Sequence, residues 1–134
     1  MAETVVVKEA LTREMIEAGN ELTRQIDLAH LGARAVLWMY LAEHNTWRLF
    51  IALPKLNEEG PRKMYKKIQS VLAKIPGHQP QIDLSDISLI DTRDPFVSRL
   101  RSLVKTGPGI SGTRVSDSFV NGHSIDEAYV YRSI

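Results

Sequence analysis

Two almost unbroken apolar runs, Ala35 to Leu41 and Thr46 to Leu53, dominate this sequence. They contain Val36, Leu37, Trp38, Tyr40, Trp47, Phe50 and Ile51, and Arg34 and Arg48 interrupt the pattern. A strand with one wet face alternates apolar and polar residues, whereas a run that is apolar throughout needs cover on both faces. The connection between the runs, Ala42-Glu43-His44-Asn45, is short and polar. The two runs are therefore predicted as a central hairpin with helices packed on the sheet. Pro54 has no amide to donate and ends the second strand.

Periodicity places the helices. One is predicted from about Thr12 to His30. The Thr12 hydroxyl can cap it. Met15, Ile16, Gly19, Leu22, Ile26 and Ala29 recur at three- and four-residue steps, and Gly32 can take the left-handed conformation that ends it. A second opens at Pro61, where a missing N–H costs nothing. Met64, Tyr65, Ile68, Val71, Leu72 and Ile75 form its buried stripe, and Pro76-Gly77 stops it. Asp94-Pro95 reads as cap and first residue of a third helix, with Val97, Leu100, Leu103 and Val104 inward and Gly107 at its end.

Shorter strands are predicted at Thr4–Val7, at about Asp86 to Asp91, and on either side of Asn121-Gly122, over Thr113–Val120 and His123–Arg132. The order is (β)αββαβαββ. It describes an α+β fold, a single mixed, mostly antiparallel sheet of about five strands with three helices. The stretch around the second helix suits a right-handed parallel crossover.

The 134 residues suit one domain, residues 1–134, and 43% hydrophobic with 25% charged residues is the composition of a globule. The absence of cysteine removes disulfides, thiolate zinc sites and cysteine nucleophiles. No apolar run approaches about 18 residues, so no membrane partner is expected. The start of the chain lacks a basic region followed by an apolar core, so a cytoplasmic location is expected.

The net charge of +1 conceals blocks. Residues 1–31 carry three basic and six acidic side chains, a net of −3. Residues 62–75 carry five basic side chains and no acidic one. Arg62, Lys63, Lys66 and Lys67 lie off the apolar stripe of the second helix. They could follow a phosphate backbone or an acidic protein, and Arg99 and Arg101 would join them if the third helix lay beside the second. The plain alternative is a solvated lysine face.

Gly107-Pro108-Gly109-Ile110-Ser111-Gly112 matches a phosphate-loop pattern, with Arg114 beyond it as a further cation. A dinucleotide loop follows a strand and opens a helix, however, and this segment does the reverse. A helix cap joined to a turn is the stronger reading. A two-residue turn at Asn121-Gly122 would set Asp117 opposite Asp126, an acid pair unless a bulge or an arginine such as Arg132 relieves it. It would also set Arg114 across from Tyr129. His30, His44, His78 and His123 share no ligand spacing, so no metal is assigned, and no cofactor motif survives. Trp38 and Trp47 read as core or rim, and Glu43-His44 as an exposed hairpin tip.

Leu11-Thr12-Arg13-Glu14-Met15-Ile16-Glu17-Ala18-Gly19, Trp47-Arg48-Leu49, the glycine segment and Asp126-Glu127-Ala128-Tyr129-Val130-Tyr131-Arg132 carry a resemblance over nearly the whole chain. The chain resembles a group of short bacterial open reading frames that carry no assigned activity. That resemblance implies a bacterial, intracellular, stand-alone domain and transfers no site residue. The leading functional expectation is a small non-catalytic binding or accessory domain acting through protein–protein contacts, with another protein or a second copy as partner. Its contact would be the basic helix face or an exposed sheet edge. The alternatives are weak, sequence-independent nucleic-acid binding by the basic helix, and a small-ligand or nucleotide enzyme built on Gly107, Gly109, Gly112 and Arg114.

Overall fold

The computed structural model describes residues 7–120 and 123–134, and the side chains of all of these except 117–120, 123 and 124. The elements run α1 (Arg13–Leu28), β1 (Ala35–Leu41), β2 (Thr46–Leu53), α2 (Leu56–Glu59), α3 (Pro61–Leu72), β3 (Ile87–Asp91), α4 (Pro95–Leu103), β4 (Thr113–Val120) and β5 (His123–Ser133). Short 3₁₀ turns lie at Ala42–His44 and Leu84–Asp86. The fold is α+β, with one mixed sheet ordered β3-β2-β1-β5-β4. Three pairings are antiparallel, and β3 runs parallel to β2 across the α3 connection. No helix among the described residues is long and apolar enough to cross a membrane.

The central hairpin is buried on both faces, and strand alternation separates two cores. On one face Val36, Trp38, Leu49 and Ile51 pack against Leu22 and Ile26 of α1 and Met64 and Ile68 of α3. On the other, Ala35, Leu37, Ala52 and Val130 meet Val97 and Leu100 of α4. Two long helices cover the first face, and a nine-residue helix covers the second.

Local chemistry explains the element starts. Thr12 Oγ1 accepts from the Met15 amide at 3.1 Å, and Asp94 Oδ1 accepts from the Phe96 amide at 2.9 Å. Pro61 and Pro95 both stand in first helical turns. The helix ends differ from the sequence expectation. The helix α1 stops at Leu28, and His30, at φ 55°, takes a left-handed turn before Gly32, at φ 69°, takes another. The helix α3 stops at Leu72, because Lys74 and Ile75 donate three residues back rather than four, tightening the chain ahead of Pro76. The helix α4 stops at Leu103, since Val104 is already extended and Gly107 plays no part in the cap.

The four-residue α2 is additional to the three expected helices. The Asp91 carboxylate holds its start, accepting from the Asn57 amide at 3.1 Å and from Arg93 Nε at 3.0 Å. The hydrogen bonds from Arg93 and then Asn57 hold the Asp91 carboxyl down at about 2. The expected strand at Thr4–Val7 lies outside the described residues except for Val7, and the Asn121-Gly122 turn lies outside them as well. The strands flanking that turn are in the expected register, with Phe119 opposite Ser124 and Val115 opposite Ala128.

A bulge in β5 joins the sheet to α1. Val36 pairs with Arg132 and Leu37 with Val130, so Tyr131 is an extra residue on β5. Its ring is buried against α1, and its hydroxyl donates to the Ile16 carbonyl at 2.7 Å. Burial pushes that hydroxyl's pKa upward. A Cβ on Gly19 would collide with the Tyr131 hydroxyl and ring edge, so the close approach of helix to sheet requires glycine there. Gly19→Ala is expected to lower stability by about 1–3 kcal/mol, overpacking outweighing the roughly 1 kcal/mol that alanine gains over glycine in a helix. Urea denaturation checks this, and a midpoint at or above that of the unsubstituted protein would contradict the contact.

Candidate functional site

The nine residues of α4 leave part of their face of the sheet open. Beyond the helix N-terminus, Met39 of β1, Phe50 of β2, Ile90 of β3 and Phe96 of α4 remain half-buried and line a groove of about 690 Å³. That size suits a peptide side chain or a small ligand. Its rim carries Glu43, His44, Asp94 and Asp126, and among the described residues no lysine or arginine lines it, although Lys8 pairs with Asp126 from outside. The surface is therefore apolar at the floor and acidic at the edge. Asp94 already accepts from the first turn of α4, so its carboxylate offsets the positive end of that helix.

Topology makes this groove, and that is why sequence reasoning missed it. Met39, Phe50, Ile90 and Phe96 span more than fifty positions of chain, and each looks like an ordinary core residue. The one signal available beforehand is that the helix on this face is too short to cover all the strands.

A second concavity of about 820 Å³ lies at the β1–β2 turn on the α1 side. Its rim holds Glu9, Glu14, His44, His78 and Asp86, and Trp38 and Trp47 are at its floor. Both tryptophans are buried, and both indole N–H groups are spent on the backbone, Trp38 on Met15 at 3.1 Å and Trp47 on Glu9 at 2.8 Å. They fill the core, the first of the two places, core or rim, expected for them. Asn45, left-handed at φ 46°, accepts from Tyr40 and the Glu9 amide and donates to the Val7 carbonyl, tying the start of the described chain to the hairpin tip. Among the described residues no three histidine, aspartate or glutamate side chains are grouped so as to hold a metal ion.

The structure separates the expected basic cluster. Arg62, Lys63, Lys66 and Lys67 lie on α3, while Arg99 and Arg101 lie on α4, across the sheet. The two helices pack on opposite faces, so the condition for a joint patch is not met. On α3 itself, Glu59 pairs with Lys67 at 3.0 Å and Lys63 at 3.6 Å, which reduces the local positive field. Lys67 first, and Lys63 and Lys55 more weakly, hold the Glu59 carboxyl below its ordinary value.

The Gly107–Gly112 segment closes the fold. The Thr106 amide donates to Ser133 at 2.9 Å, and the Ser111 amide donates to Tyr131 at 2.8 Å. Gly109 presents its carbonyl to Arg132 Nε at 3.2 Å, which is the polarity suited to a cation. A Cβ on Gly112 would strike the Tyr129 hydroxyl, so this glycine serves packing. Arg114 stands opposite Tyr129 in the sheet, its guanidinium carbon 5.5 Å from the ring centroid, and it pairs with Glu127 at 3.7 Å.

Of the two carboxylates expected opposite each other, the Asp117 side chain lies outside the described residues. Asp126 pairs with Lys8 at 3.2 Å, and Lys8 also reaches Glu127 at 2.9 Å. Arg132 is not the arginine that relieves this pair. Its guanidinium is buried and grips Asp27 of α1 in two-pronged fashion, at 2.8 and 2.7 Å, while also donating to the Ala33 carbonyl at 3.3 Å.

No family model, curated protein or solved structure matches the chain.

Lysine cannot serve Asp27, Ala33 and Gly109 at once. Arg132→Lys is expected to cost about 2–4 kcal/mol of folding stability. Asp27→Asn, which keeps one acceptor for the fork at a half-exposed site, should cost less. Paired denaturation curves check the ranking, and an Arg132→Lys loss no larger than that of Asp27→Asn would contradict it.

Proposed function

We propose that the chain is a small non-catalytic binding domain that acts through protein–protein contact, and that the groove beside α4 is its contact surface. One observation carries this reading. Apolar side chains from four separate elements converge on one opening, Met39, Phe50, Ile90 and Phe96, and stay half-buried there. A partner side chain such as phenylalanine or leucine, fully buried in such a groove, contributes about 1.5–3 kcal/mol. An aromatic and methionine floor with a polar rim is the pattern of a protein contact. Phenylalanine is rigid there, and methionine adapts to the shape of what enters.

The basic face of α3 supports a contact less well, because α2 supplies glutamate to two of its lysines. The glycine segment supports one less well again, because its Ser111 amide and its Gly109 carbonyl are spent within the fold.

A photo-crosslinking amino acid placed at Phe96, with a second version at Lys66 on α3, tests the reading in a native lysate. The expected result is a discrete protein adduct from position 96 and none in common with position 66. No adduct at 96, or the same adducts at both positions, would overturn it.

A further inference from the structure

We infer that the partner at this groove is a second copy of the chain, the two α4 faces packing antiparallel about a two-fold axis. The inference rests on the reading of the groove as a protein contact, and adds what occupies it. On α4, Phe96, Arg99 and Leu103 fall at steps of three and four residues, so they share one flank of the helix. Phe96 opens into the groove at the N-terminal end. Two turns later Leu103 stands 42% exposed, one of three large hydrophobic side chains so exposed among the described residues. It is an apolar knob at one end of a helix whose other end borders an apolar hole.

Charge follows the same axis. The groove end carries Glu43 and Asp94, while Asp126 is paired with Lys8. The flank of α4 that holds Leu103 also holds Arg99, and Lys105 follows the helix; Arg101, two residues from Arg99, lies on the other side of the helix. Among the described residues neither Arg99 nor Lys105 forms an ion pair. An antiparallel two-fold arrangement places Leu103 of each copy toward the groove of the other, with its basic flank against the acidic rim. It also opposes the two helix dipoles. A parallel arrangement would set acid on acid and base on base, which is repulsive. Because knob and hole lie on one face, each copy both gives and receives, and the contact closes at two copies.

Sedimentation velocity over a range of protein concentrations tests this. The unsubstituted chain is expected to convert from one copy to two and to stop there. Leu103→Glu, at an exposed position, is expected to keep the circular dichroism spectrum of the fold and to remain a single copy. Glu43→Lys alone, and Arg99→Glu alone, should each weaken the dimer by about tenfold or more through like charges in apposition. The two substitutions combined should bring the dissociation constant back to within about threefold of the original, since reversal on both sides restores complementarity.

A chain that stays a single copy at every concentration overturns the inference, as does an assembly that grows beyond two. Failure of the combined reversal to rescue overturns it as well. These outcomes are separable from failure of the underlying reading. A position-96 crosslink to a different protein, with no dimer, would remove the second copy and leave the groove. Absence of any adduct at 96 would remove both.

Discussion

A single buried guanidinium, that of Arg132, holds together the parts on which everything else is placed. A cation without water needs its donors occupied, and here they are shared between the stretch from the end of α1 to β1 and the segment ahead of β4, which lie more than seventy residues apart. The Asp27 carboxylate fixes the C-terminal part of α1. The Ala33 carbonyl fixes the approach to β1. The Gly109 carbonyl fixes the segment between α4 and β4. The neighbouring bulge residue Tyr131 takes the opposite role, filling the space between sheet and α1 that Gly19 leaves open. The two residues at the end of β5 thus set one helix close to the sheet and lead another across its far side.

The groove follows from that placement. Once Thr106 and Ser111 are tied to the end of β5, the C-terminal end of α4 is anchored there, and its nine residues reach about 14 Å across the strands. The other face receives the longer α1 and α3. The imbalance leaves Met39, Phe50, Ile90 and Phe96 only half-covered, and Asp94 and Glu43 border them with negative charge. Geometry that begins as a hydrogen-bonding need inside the molecule ends as an unpaired surface outside it.

Much of the fold was legible in the residues. The unbroken apolar character of Ala35–Leu41 and Thr46–Leu53 announced a sheet covered on both sides, and Thr12, Pro61 and Asp94 marked helix starts through backbone chemistry that is local. Helix ends were read less well, because His30 accepts the left-handed conformation usually left to glycine, and Val104 turns extended well before Gly107. The four residues of α2 are too few to show a period, and they form because Asp91, from a distant strand, caps them. The candidate site was the least legible part. Arg99 and Arg101 looked like partners of the α3 lysines only while the layer that each helix occupies was unknown. The groove residues carry no pattern in sequence at all, since strand order alone makes them neighbours.

Contact through the α4 side of the sheet is tested most directly by amide hydrogen exchange, followed at low and at high protein concentration. Slower exchange is expected at high concentration across Asp94–Val104 and at the Leu41–His44 turn, with Pro61–Leu72 unchanged. Exchange that is independent of concentration everywhere, or protection confined to the α1 and α3 side, would contradict it.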